Sequence, residues 1–181
     1  MVCLLNHRHI GSLWIGLLGP IIATAAQAQS IVPADTTTVQ QVGTQYQIDG
    51  GNLSSDRTTL IHSFNQFGLL TGEAAQFSNP ATVENIIGRV LGTDASIIDG
   101  LLSVEGAANL YLLNPSGIFL GENTQLNLSG SFSASTATGL SFSNGFLDAL
   151  STNNDTALTG APTGYIFTGE QASPVINTGN L

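Results

Sequence analysis

Downstream of its first 45 residues the chain alternates short apolar or alternating stretches with turn residues. "QYQIDGG" alternates and stops at Gly50-Gly51. "TLIHSFNQF" places Leu60, His62 and Phe64 on one face and Ile61, Ser63 and Asn65 on the other. "AAQFS", "ASIIDG", "LLSVEG", "NLYLLNP", "GIFLGE", "TQLNLSG", "SFSASTA" and "GLSFSN" follow, with Gly, Asn, Asp or Pro between them. Pieces of this length and spacing predict β-strands joined by tight turns. One stretch breaks the pattern. In "SNPATVENIIGRVLG" the apolar residues Val83, Ile86, Ile87, Val90 and Leu91 recur at helical spacing, with Asn79 placed to cap, Pro80 at a first helical position and Gly92 at the end. Local periodicity predicts a helix of about three turns there. Gly88 and four β-branched residues oppose it.

Many short strands with glycine corners fit a sandwich, a barrel or a solenoid. Aromatic residues make up only 7% of the chain, which argues against the girdles of a membrane barrel. Strands following one another with Asn and Gly at corners, as in "SGIFLGENTQLNLSGSFSAS", favour a parallel β-helix of small and apolar inward residues. At about 22 residues per coil, the part of the chain after the leader would make roughly seven coils. Residues 29–45, rich in Thr and Gln, read as a loose lead-in. Residues 144–181 read as a turn-rich, truncated continuation of the solenoid.

The first 30 residues differ in kind. Arg8, His7 and His9 precede an apolar run from Ile10 to Ala26 that ends in Ala26-Gln27-Ala28, a small-x-small pattern accepted by signal peptidase. Cleavage between Ala28 and Gln29 leaves 181 − 28 = 153 residues. It also removes Cys3, the only cysteine, so the mature chain has no disulfide and no thiol chemistry.

Charge narrows the partners. The chain has no lysine, three arginines against twelve carboxylates, and a net charge of −9. Nucleic acid and anionic membrane surfaces are poor partners for such a chain. Catalytic signals are thin. His62 is a lone histidine in an alternating strand, and no G-x-S-x-G elbow is present. Asp94 with Asp99, or Glu105 with Glu122, would serve glycoside hydrolysis only if folding brought them about 5 to 10 Å apart. A β-helical polysaccharide enzyme is therefore the alternative reading. "DGGNLSSD" and "NNDT" lack the spacing of a calcium loop. No metal or cofactor is expected.

The clearest local signal is Asn114-Pro115-Ser116-Gly117, whose residue types suit a type I turn, with Ile118 starting the next strand. Around it, "NLYLLNPSGIFLGENTQLNLSGSFSASTATGLSF" resembles the N-terminal secretion domain of filamentous haemagglutinin-type exoproteins, the two-partner secretion family. The resemblance rests on Asn114, Pro115, Gly117, Ile118, Gly121, Leu126, Gly130, Ser131, Phe132, Ala134, Ser135 and Thr136. Ser116 stands where the family usually has Asn. "LIHSFNQF" and "NIIGRVLGTDASIIDGLLSVEGAANLYLLNP" extend the similarity over about Ile48 to Phe142. It implies a right-handed parallel β-helix over 46–143 with an N-terminal cap and extra-helical hairpins, and strand rather than helix for Val83 to Leu91. It further implies a non-enzymatic secretion signal; the chain is expected to be a monomer and to contribute to adhesion at the cell surface. Its partner would be an outer-membrane transporter whose periplasmic modules read the unfolded chain, in part through the turn at Asn114 to Ile118.

Overall fold

In a computed structural model the described residues are 31–152, 155–169 and 171–181. The leader, with the cleavage site at Ala28 and Gln29, lies outside them. Seventeen strands and one 3-10 turn make up the regular structure of the described residues.

Four short strands open the chain: β1 (Ile31–Ala34), β2 (Thr37–Val42), β3 (Gln45–Gly50) and β4 (Asn52–Leu53). Three coils of the solenoid are then laid down by β5 (Thr59–Phe67), β6 (Ala74–Phe77), β7 (Asn85–Val90), β8 (Ser96–Ile98), β9 (Leu101–Val104), β10 (Asn109–Leu113) and β11 (Ile118–Leu120). A last coil contains β12 (Gln125–Asn127) and β13 (Phe132–Ser135). The chain then leaves the stack for β14 (Gly139–Phe142), β15 (Gly145–Asp148), a 3-10 turn at Asp155–Ala157 and β16 (Gly164–Ile166), and returns with β17 (Val175–Asn177).

Three walls result. β5, β7, β10 and β13 pair in parallel as sheet A. β3, β6, β9 and β12 do so as sheet B, and β8, β11 and β17 as sheet C. Leu60 pairs with Ile86, Ile86 with Leu110 and Leu110 with Phe132, steps of 26, 24 and 22 residues. The result is a parallel β-helix of about four turns. The expectation of seven coils fails because residues 139–166 lie outside the stack, as the resemblance implies for extra-helical hairpins, and because the first two steps take 26 and 24 residues rather than 22. Among the described residues of 144–181, the only strand that continues the solenoid is β17.

The lead-in expected to be loose is structured. β1 pairs antiparallel with the C-terminal half of β5, β4 with its N-terminal half, and β2 with β3. Together they cover the first-coil edges of sheets A and B, which otherwise would offer unpaired N–H and C=O groups. The Thr and Gln residues that made this segment look like a loop serve exposed positions of an edge strand: Gln40 and Gln41 of β2 face solvent, whereas Thr37 is buried and its hydroxyl accepts from the Ser63 N–H.

Residues 80–91 form a turn followed by strand β7, against the local helical spacing. A strand sends neighbours to opposite faces. Ile86 and Val90 enter the solenoid core, while Ile87 enters a second cluster outside it. Every residue of β7 is buried because sheet A is covered on both faces, and a two-sided strand has no alternation to betray it. Inside, Phe64, Phe67 and Phe77 pack with ring centroids 4.9 to 6.4 Å apart. Gly88 faces the rings without a side chain; a Cβ there would sit 3.4 Å from Phe64. Outside, Ile61, Ile87 and Leu113 pack against Leu140, Phe142, Leu147 and Leu158 of the excursion.

Candidate functional site

The turn Asn114-Pro115-Ser116-Gly117 connects β10 of sheet A to β11 of sheet C. The Gly117 N–H donates to the Asn114 carbonyl at 3.0 Å, closing the expected four-residue turn. Gly117 has φ of 123°, a conformation that side-chain-bearing residues avoid. A Cβ there would lie 3.3 Å from the Ala95 Cβ in the coil below.

Asn114 is fully buried, and each side-chain group has a partner. Its Oδ1 accepts from the Ser116 N–H at 2.9 Å. Its Nδ2 donates to the Asp94 carbonyl at 3.0 Å and to Ser96 Oγ at 2.9 Å, both in the equivalent corner one coil earlier. The backbone N–H donates to the Ser135 carbonyl in the coil above. Asn114 therefore ties three successive coils together at one corner. Ser116 reaches the Gly92 carbonyl at 3.4 Å, and Ile118 is a core residue whose N–H donates to the Pro174 carbonyl. Pro115 lines a small cavity of about 170 Å³ with Thr136, Phe167 and Ser173. The folded turn thus shows solvent mainly Pro115 and Ser116, both half-buried. Sequence reasoning singled out the turn but missed Asp94, Ser96, Ser135 and Pro174, its partners from other coils. No local signal marks them.

The residues weighed for catalysis are dispersed. His62 has no exposed surface, and neither ring nitrogen has a hydrogen-bond partner. Its ring packs among Phe64 and Phe77, centroids 6.3 and 5.6 Å away. Burial alone pushes its pKa down from 6.5 to about 4. No substrate reaches it. Asp94 lies in the corner between sheets A and C, whereas Asp99 lies between C and B; Glu105 is between B and A, and Glu122 between C and B. Neither carboxylate pair shares a corner. Among the described residues no three His, Cys, Asp or Glu side chains gather as a metal site.

One buried ionic group went unnoticed in the sequence. Arg89, on the outer face of β7, is fully buried and forms an ion pair with Asp155. Its Nε donates to Ser63 Oγ and its Nη1 to the Asp148 carbonyl, each at 3.0 Å. Nearby, Asp56 accepts from Ser54 Oγ and from the N–H groups of Gly160 and Thr58. These hydrogen bonds, that of Ser54 first, lower its pKa to about 2.

Fold and turn together define a small parallel β-solenoid whose distinctive feature is an internal corner rather than a cleft. The pattern of the TPS secretion domain matches residues 23–179, and the chain belongs to that family. Two solved structures share the fold. The filamentous hemagglutinin secretion domain superposes with a TM-score of 0.54 at 22% identity, covering 61% of this chain and 43% of its own. The HMW1 secretion domain from Haemophilus influenzae gives 0.53 at 23% identity, covering 82% of this chain and 34% of its own. The chain thus spans less than half the length of either. No curated protein matches it.

Proposed function

We propose that this secretion domain acts, without catalysis of its own, as the signal that commits an exported chain to an outer-membrane partner transporter, and that the transporter reads it unfolded. The leader ending at Ala28 takes the chain to the periplasm, signal peptidase removes it, and folding follows outside the cell. The observation that carries this reading is the complete burial of Asn114 with its amide fully engaged. A receptor that reads this asparagine has access to it only before the coils stack. The absence of lysine and of cysteine downstream of Cys3 suits passage of an extended chain. A role in adhesion has no feature of its own to support it.

The test compares two variants of similar stability loss, co-expressed with the partner transporter. Asn114→Ala removes a motif residue, whereas Ile87→Ala weakens the second core far from the turn. Extracellular yield should collapse for Asn114→Ala and stay near wild type for Ile87→Ala. Equal losses would reduce the turn to architecture. N-terminal sequencing of the exported chain should begin at Gln29.

A further inference from the structure

The outer face of sheet C carries a row of exposed apolar side chains. Parallel pairing sets Phe119 beside Ile97 on one strand and Ile176 on the other. They are 36%, 60% and 45% exposed, while Ile98 of β8 and Ile118 and Leu120 of β11 are buried and all of β17 is exposed. Single exposed apolar residues are ordinary, but three in register across strands about 4.8 Å apart make a continuous patch. Its flanks are low. By the same register Ala95, Gly117 and Pro174 occupy the preceding row and Asp99, Gly121 and Thr178 the following one, so a glycine lies on each side of Phe119 along its own strand.

A fixed anion lies beside the row. Asp99 follows Ile97 by two residues on the same face, and its carboxylate lies over Gly121, where a Cβ would collide with it. Thr71 Oγ1 donates to it, as do the Asn123 N–H and Nδ2, the last two at 2.9 Å. Those bonds, that of Thr71 first, hold its pKa below the usual carboxylate value. Asp94 and Glu122, in the corners on either side, add negative charge. The protein has little to answer it: there is no lysine, Arg89 is buried with Asp155, and Arg57 sits in the turn between β4 and β5.

We propose that this row is a docking surface for a basic amphipathic protein segment, whose apolar side chains cover Ile97, Phe119 and Ile176 while a lysine or arginine meets Asp99. A second copy of the chain is the poorer occupant, since it brings the same acidic surface and a net charge of −9. The surface belongs to the folded protein and is independent of how the unfolded chain is read.

Fluorescence anisotropy with the full chain and a labelled leucine–lysine peptide of roughly 18 residues, amphipathic as a helix, tests it. Saturable binding is expected. Phe119→Ser and Ile97→Thr should each weaken it by roughly tenfold, the effect of exposing one large apolar group. Asp99→Asn should weaken it severalfold at low ionic strength and have no effect in about 0.5 M salt, where exposed charges are screened. Because Ile97 and Phe119 are exposed, urea midpoints near wild type will show that those two variants are folded; a single cooperative urea transition shows it for Asp99→Asn, which weakens the bonds to Thr71 and Asn123. Undiminished binding to folded Phe119→Ser and Ile97→Thr would overturn the proposal, leaving only diffuse attraction to an acidic protein. Sedimentation of the free chain as a dimer that Phe119→Ser dissociates would overturn it too, assigning the row to self-association.

Discussion

His62 and Asn114 are both fully buried polar side chains, and they differ in what surrounds them. Asn114 has a partner for every group. Deleting one typical hydrogen bond costs about 1 kcal/mol, the figure a simple exposed turn suggests, but Asn114→Ala also leaves the buried Ser96 hydroxyl short of a partner. The expected loss is about 3 kcal/mol, read from the urea midpoint. His62 has none, so its proton is the variable. Its pKa falls from 6.5 unfolded to about 4 folded, so between those values the unfolded chain binds more protons and stability falls as pH falls. The loss begins as pH drops through 6.5, is complete below about 4, and amounts to about 3 kcal/mol. Urea midpoints at pH 7 and 4.5 should show most of it in the wild type and little in His62→Phe. The lowered carboxylates of Asp56 and Asp99 act in the same direction, but at lower pH. That Asn114 marks a turn was legible, because Asn-Pro-x-Gly is a local preference. Its burial was not, because its partners in the neighbouring coils, Asp94, Ser96 and Ser135, lie 18 to 21 residues away.

At the scale of the element, strands and corners could be read wherever one face is wet. β8 and β11 alternate buried, exposed, buried. The failures fall where that condition lapses. β7 is covered on both sides, so its apolar run imitated a helix until the family resemblance corrected it. β2 is an edge strand with four exposed residues, so it imitated a loop. Arg89 on β7 explains the second cover. Removing one partner of a buried ion pair leaves a charge stranded, so Asp155→Ala should cost about 3 to 5 kcal/mol. Replacing both, as in Arg89→Met with Asp155→Leu, should recover most of that. A double-mutant cycle on urea midpoints checks it.

For the whole molecule, the class of fold followed from strand length and glycine corners, but the number of coils did not. Nothing local distinguishes a strand that stays in the stack from one that leaves it, and residues 139–166 leave. Where they go has a consequence for unfolding. An uninterrupted solenoid couples each coil only to its neighbours and can fray from either end. Here Gly160 accepts from Thr59 and donates to Asp56 in the first coil, Asp155 holds Arg89 in the second, and Tyr165 meets Ser133 in the fourth. Amide protons of β5, β7 and β10 should therefore exchange at one common slow rate, by global opening, while those of β12 exchange faster. In Asp155→Ala the common rate should split coil by coil.

The same clasp sets a clock. The contacts between Gly160 and the first coil join residues 101 and 104 positions apart. In a chain that emerges from its N-terminus, the early coils wait unfastened until the last third arrives. Through that interval Arg89 lies open to water on the outer face of sheet A, and stacking remains reversible. Closure of the excursion over Arg89 then converts a column of loosely coupled coils into a body that opens only as a whole.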